Sequence, residues 1–206
     1  MKKLILFTLG AATLSSSFAQ SANKPRGYYI SQFKDSTNIN AAVSGNEDCA
    51  ATSLVMVAKH FGMLSPVATA PNQVEGTIKK VYGDMAAGPS KNWVINGAEK
   101  LGLRYQKIEP NANAVSAALH SGQKVIAGGD PMTPGAFGPK HGYVHSTSHY
   151  IVVTEQKPNG NFVVFDPAGH LKGKDKGIYQ ISKEALNSFL STHEAQVVGN
   201  ATAIGK

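Results

Sequence analysis

The sequence predicts an α+β domain. Its 206 residues are 42% hydrophobic and 16% charged, a composition typical of a chain with a packed core and not of a disordered chain. Helical periodicity dominates the first half of the chain and β-rich runs dominate the second half, an order that favours an antiparallel sheet with helices packed against it. No internal repeat or interdomain linker is visible.

The first residues have the pattern of a signal peptide. Lys2 and Lys3 precede a short apolar run over residues 4–14, and Ser17-Phe18-Ala19 places small residues at the two positions that a signal peptidase reads. We therefore expect residues 1–19 to be removed after Ala19 and the protein to be exported, as a periplasmic or secreted protein. No later segment approaches the roughly 20 apolar residues of a transmembrane helix.

After the signal peptide, residues 20–45 are polar and rich in turn residues, so we expect an extended arm with one strand-like patch at residues 28–30. Residues 46–206 form the expected domain. The first helix begins at Cys49 with Asp48 as N-cap and ends at Gly62. Further helices are predicted over residues 74–82, 93–101, 114–120 and 183–190.

Strands are predicted over residues 104–108, 124–127 and 178–181, with a last edge strand at 196–198. Residues 149–156 and 161–165 form the clearest hairpin, joined by Lys157-Pro158-Asn159-Gly160. Residues 128–142 are loaded with glycine and proline, so we expect a loop with a role as a lid or in binding.

The charge pattern does not indicate a nucleic-acid partner. The whole chain carries a net charge of +7, and loss of the two signal-peptide lysines leaves 18 basic and 13 acidic residues, or +5. The basic residues are spread along the chain and do not form blocks interleaved with aromatic residues.

Cys49 is the single cysteine of the chain. One thiol excludes an internal disulfide and a zinc site built from several thiolates. At the start of a helix, unpaired N–H groups and the helix dipole favour a negative charge, which suits a nucleophilic thiolate. The alternative is a small buried apolar side chain.

A thiolate nucleophile needs an imidazole within reach, and that imidazole needs an acceptor on its other nitrogen. His149 opens the first strand of the hairpin and Asp166 ends the second, so the two residues can face each other across it. Taken alone, Asp166 is equally explained as a turn residue before Pro167.

Three histidines recur at intervals of four, at His141, His145 and His149. On a helix this spacing would form a zinc site. Gly142, the preceding loop and the β-branched run after His149 argue against a helix, so we expect no metal and no cofactor. His60 is interpreted as a core or surface histidine.

Acyl chemistry at a thiol also needs donors for the developing oxyanion. The backbone N–H of Cys49 supplies one. A side-chain amide upstream, from Gln32 or Asn46, is the candidate for the second, and each is equally explained as a solvated loop residue.

These segments resemble a known family. Residues 48–57 (DCAATSLVMV), followed by His60-Phe61-Gly62, are similar to the nucleophile helix of papain-clan peptidases related to the bacteriocin (double-glycine) leader peptidases. The pattern of that helix is Cys-Gly-Pro-Ala-Ser-Leu-Ala-Met-Val. Residues 148–153 (SHYIVV) resemble the histidine strand of the family, and Phe165-Asp166-Pro167-Ala168 resembles its Asp-Pro-Ala turn.

The resemblance implies a papain-like cysteine peptidase fold with N-terminal helices packed on an antiparallel β-sheet. It also implies that Cys49 is the nucleophile, His149 the base and acid, Asp166 the orienting residue and Gln32 an oxyanion donor. The chain departs from the family pattern at Ala50-Ala51, where the family has glycine followed by a small residue or proline.

We therefore expect an exported cysteine hydrolase that cleaves a peptide or amide bond, with a peptide, a protein or a cell-wall peptide as substrate. Two alternatives remain. One is acyl transfer by the same residues, as in phytochelatin synthases, whose cysteine helix is similar. The other, motivated by Ala50, is a non-catalytic binding module on a disabled peptidase fold.

Overall fold

The computed structural model describes residues 28–30, 48–64, 71–86, 93–168, 177–194, 197–198 and 200–206. Five α-helices lie in these ranges. They are α1 (Asp48–His60), α2 (Pro71–Ala86), α3 (Trp93–Lys100), α4 (Ala112–His120) and α5 (Lys183–Leu190).

Within the described residues, one antiparallel sheet contains six strands. In spatial order they are β1 (Arg104–Ile108), β8 (Asn200–Gly205), β2 (Lys124–Gly129), β3 (His149–Gln156), β4 (Phe162–Phe165) and β5 (Ile178–Ile181). Two short strands, β6 (His193–Glu194) and β7 (Val197–Val198), pair with each other.

Helices cover both faces of the six-stranded sheet. The side chain of Val152 in β3 packs with the apolar residues of α1, α2 and α3. Its neighbours Ile151 and Val153 point the other way and pack with α4 and α5. Because both faces are covered, the central strands are apolar on both sides. The predicted α+β class, with N-terminal helices packed on an antiparallel sheet, is confirmed.

The C-terminal strand β8 was not predicted from the sequence. It lies between β1 and β2 and pairs with both. Its sequence, NATAIG, has two residues of high strand propensity, Thr202 and Ile204, among asparagine, alanine and glycine, which are depleted in strands, so the local signal is weak. The predicted edge strand near the C-terminus corresponds to β7, which pairs with β6 and does not join the main sheet.

The predicted loop over residues 128–142 is wrong at its start, because Gly128 and Gly129 are the last residues of β2. A Cβ atom on Gly129 would lie 2.0 Å from the carbonyl oxygen of Phe189 in α5. The glycine therefore marks a close approach of α5 to the strand, not a turn. Later in the same segment, Gly138–His141 forms a short 3-10 helix.

Residues 28–30 lie against the core, although they do not form the strand that the sequence suggested. Ile30 is buried with the residues of α1. The rings of Tyr28 and Tyr29 pack on Phe165, with ring centroids 4.8 Å and 5.8 Å from it. This segment therefore covers the sheet next to the end of β4.

Candidate active site

Cys49 is the second residue of α1. Its N–H group is among the first four of the helix, which have no acceptor inside the helix. The residues that follow, Leu54, Val55 and Val57, are fully buried and pack α1 against the sheet and the neighbouring helices. This packing fixes the N-terminus of α1, where Cys49 is 3% exposed.

His149 is the first residue of β3 and pairs with Gly129 of β2. Its buried ring places Nε2 2.7 Å from Oδ1 of Asp166, and a hydrogen bond joins it to Cys49. Because Nε2 is engaged by Asp166, Nδ1 is the nitrogen available to the thiol. The structure thus brings Cys49, His149 and Asp166 together, with the imidazole between the thiol and the carboxylate.

Asp166 directly follows β4 and is fully buried. Oδ1 accepts hydrogen bonds from Nε2 of His149 and from the N–H of Ala168, at 2.7 and 2.8 Å. Oδ2 accepts from the hydroxyls of Tyr143 and Tyr179, at 2.8 and 2.7 Å. The four donors occupy the roughly four acceptor positions of a carboxylate.

The charges of His149 and Asp166 shift the pKa of each other. Burial alone would lower the pKa of His149, but the charge and hydrogen bond of Asp166, with a smaller contribution from Cys49, raise it from 6.5 to about 10. Burial alone would raise the pKa of Asp166, but His149 and the two tyrosine hydroxyls hold it below its usual range. At neutral pH the arrangement can therefore supply an imidazolium beside the thiol sulfur.

The two tyrosines were not identified from the sequence. Tyr179 lies in β5, opposite Val164 of β4, and Tyr143 lies just after the 3-10 helix in the segment that joins β2 to β3. The Ile178–Ile181 strand was predicted, and in a strand a buried tyrosine needs a partner for its hydroxyl. The identity of that partner depends on the tertiary fold. Tyr143 lies outside any predicted strand, so the sequence alone offers no signal for it.

Asp130 directly follows β2 and accepts hydrogen bonds from both ends of the segment that joins β2 to β3. Its Oδ1 accepts from the N–H groups of Met132 and Thr147, at 2.8 and 3.3 Å, and its Oδ2 accepts from the hydroxyl of Ser146. One carboxylate therefore holds both ends of the segment that carries Tyr143. A cleft of about 450 Å³ opens beside it, lined by Asp130, Met132, Thr133, Pro134, Ser146, Ser191 and Thr192.

The two candidates for the second oxyanion donor, Gln32 and Asn46, lie outside the described residues. His141 ends the 3-10 helix and His145 is an exposed loop residue, so the three evenly spaced histidines do not share a helix. His60 is the last residue of α1, at the far end of the helix from Cys49.

In the part of the chain that the structure describes, no group of three or more His, Cys, Asp or Glu residues is arranged to hold a metal ion. None of the described helices is long and apolar enough to cross a membrane.

Comparison with known proteins gives a family match over most of the chain. Residues 27–201 match the model of the Peptidase_C39 like family. A search of curated proteins finds no significant match.

Solved structures similar to this chain include the peptidase domain of Streptococcus ComA, a bifunctional ABC transporter involved in a quorum-sensing pathway. It is 16% identical, with a TM-score of 0.49, and the match covers 86% of this chain and 96% of that domain. Another is a double-glycine-motif protease from an AMS/PCAT transporter, solved with the leader peptide. It is 15% identical, with a TM-score of 0.46, and the match covers 85% of this chain and 89% of that one.

Proposed function

The chain belongs to the Peptidase C39-like family, and we propose that it is an exported cysteine hydrolase that cleaves a peptide or amide bond through a thioester on Cys49. The observation that carries the proposal is the buried arrangement of three groups. The imidazole of His149 is hydrogen-bonded to Cys49 and lies 2.7 Å from the Asp166 carboxylate.

In the first half of the proposed reaction, the Cys49 thiolate attacks the carbonyl carbon of the substrate. The carbonyl π electrons move to oxygen, and the N–H of Cys49 donates to the resulting oxyanion. The tetrahedral intermediate collapses as the carbon–nitrogen bond breaks. His149 gives its Nδ1 proton to the leaving amine, so the products of this half are a free amine, a thioester and a neutral imidazole.

In the second half, neutral His149 accepts a proton from water while the water oxygen attacks the thioester carbon. The carbon–sulfur bond then breaks, the carboxylic acid leaves, and the thiolate and imidazolium are restored. Asp166 holds the Nε2–H of His149 throughout and keeps Nδ1 turned to the reacting atoms. Gln32 or Asn46 is proposed as the second oxyanion donor.

The proposal is tested with a thiol-directed epoxide inhibitor of the papain type and with peptide substrates, namely secreted-protein digests, leader-like peptides and cell-wall peptides. Wild-type protein is expected to gain one inhibitor adduct and to release peptide products. Cys49→Ala is expected to lose both. His149→Ala is expected to lower turnover at least about 100-fold, the usual contribution of a general acid–base group.

His145→Ala is the matched control for His149→Ala, because His145 is an exposed histidine of the preceding loop. Its turnover is expected to equal that of the wild type. An adduct that persists in Cys49→Ala contradicts the assignment of the nucleophile. Amide products formed from a γ-glutamyl donor and an amine acceptor, in place of hydrolysis products, would identify acyl transfer.

Export is the part of the proposal that rests on residues 1–19. Expression of the full chain in a bacterial host is expected to give a periplasmic or secreted protein whose N-terminus is Gln20. Recovery of the uncleaved chain in the cytoplasm would contradict export.

A further inference from the structure

We propose that Tyr143 and Tyr179 are positioning residues of the triad, which hold the Asp166 carboxylate ionised and turned so that Oδ1 faces His149. The inference rests on the proposed function, because it assigns the two tyrosines a task in that reaction. Neither residue belongs to the motifs that the sequence analysis identified.

The hydrogen bonds of Asp166 divide between its two oxygens. Oδ1 accepts hydrogen bonds from His149 and from the N–H of Ala168, whereas Oδ2 accepts from the hydroxyls of Tyr143 and Tyr179. Since Asp166 is fully buried, water does not compensate for a lost donor. The phenols therefore fix the rotation of the carboxylate, and with it the direction in which Oδ1 points.

Both phenols are themselves held by packing. The ring of Phe137 lies between them, with its centroid 6.3 Å from that of Tyr143 and 5.7 Å from that of Tyr179. The His141 ring stacks on Tyr179 at 3.7 Å, and the Tyr143 ring packs against His149 at 5.5 Å. Each hydroxyl thus approaches Oδ2 from a fixed ring.

The phenols also remain donors. Burial and the neighbouring Asp166 charge raise the pKa of both Tyr143 and Tyr179 well above its usual range. Each therefore keeps its proton wherever the fold is stable. A ring of donors favours the ionised carboxylate over the protonated acid, because an ionised carboxylate only accepts hydrogen bonds.

The two tyrosines come from separate parts of the fold. Tyr179 belongs to β5, whereas Tyr143 belongs to the segment whose ends are held by Asp130. Correct placement of that segment is therefore needed to complete the set of four donors. Tyr143 therefore links this segment to the triad through its hydroxyl.

The test uses the variants Tyr143→Phe, Tyr179→Phe and the double variant, which delete the hydroxyl and keep the ring. The control is Tyr105→Phe. Tyr105 lies on the exposed strand β1, and its hydroxyl donates a hydrogen bond to Glu99 of α3. The first readout is hydrogen exchange of the His149 Nε2–H proton, followed by NMR. The second is kcat and KM on the substrate found for the wild type.

In each single variant we expect exchange of the Nε2–H proton to accelerate about tenfold or more, and kcat to fall by roughly the same factor with little change in KM. The double variant is expected to show a larger effect. Tyr105→Phe should match the wild type in all three quantities. If the double variant does not fold, the two single variants carry the test.

Exchange and kcat equal to those of the wild type, in folded Tyr143→Phe and Tyr179→Phe, would overturn the inference. A fall in kcat without faster exchange would also overturn it, because the effect would not pass through the His149–Asp166 bond. Faster exchange in a protein whose wild type is neither labelled nor active would support the positioning role and refute the proposed function instead.

Discussion

Removal of the Asp166 carboxylate is expected to destabilise the fold strongly. In Asp166→Ala, four donors lose their acceptor, namely the buried His149 N–H and Tyr179 hydroxyl and the half-buried Tyr143 hydroxyl and Ala168 N–H. An unsatisfied buried polar group costs about 1–3 kcal/mol. Removal of one partner from a buried charge pair costs about 3–5 kcal/mol, and this is the loss expected here.

The free energy of unfolding of Asp166→Ala and of the wild type is measured by urea denaturation at neutral pH, followed by circular dichroism. The matched control is Glu155→Ala, which removes an exposed carboxylate that pairs with Lys157 at 2.8 Å. An exposed pair contributes about 0–1 kcal/mol, so the control should change little. An Asp166→Ala variant within about 1 kcal/mol of the wild type would refute the reasoning that this carboxylate is buried and fully bonded.

Two further predictions concern stability around the site. The folded-state pKa of His149 is raised from 6.5 to about 10. Protonated His149 therefore contributes its full share to the free energy of unfolding below pH 6.5, and this share is lost as the pH rises toward about 10. The urea midpoint of the wild type should therefore fall more between these two pH values than that of His149→Ala, and parallel curves would contradict the raised pKa. Gly177→Ala would place a Cβ atom 1.9 Å from the Tyr29 hydroxyl, whereas Gly160→Ala, also at a positive φ, meets nothing within 4 Å. Gly177→Ala should lose about 1–3 kcal/mol more in the same assay, and equal losses would show that Tyr29 moves aside freely.

The sequence predicted those parts of the fold that depend on local pattern. The first helix, from Cys49, carries a continuous apolar face and is observed one residue longer at its start. The hairpin of β3 and β4 has β-branched runs around a turn with Gly160, and it is observed with a register shift between Val153 and Glu155. In these segments the neighbours in sequence determine the structure, so the pattern is sufficient.

The parts that were missed depend on distant partners. Strand β8 lies inside the sheet because β1 and β2 pair with it, and its own residues carry only a weak strand signal, from Thr202 and Ile204. Gly129 lies in β2 where α5 approaches closely, and Gly128 lies in β2 where the side chains of Tyr150 and Asn200 do. In the sequence, two adjacent glycines resemble a turn signal, and the packing that requires them is not visible.

The candidate site shows the same division. Cys49, His149 and Asp166 could be named because a helix start and a hairpin place them, and because the motifs around them resemble a family. The two phenols on Asp166 come from a loop and from an edge strand, and only the tertiary fold brings them to one oxygen atom.

The most direct test of the account is the pH dependence of Cys49 alkylation by iodoacetamide in the folded protein, followed by intact mass. The chain has a single cysteine, so each adduct reports on this thiol. If His149 supports the thiolate, alkylation should proceed readily near neutral pH. It should slow at least about tenfold in His149→Ala and remain unchanged in His145→Ala. A Cys49 that is inert near neutral pH, or that reacts equally in His149→Ala, would contradict the assignment of Cys49 and His149 as a catalytic pair.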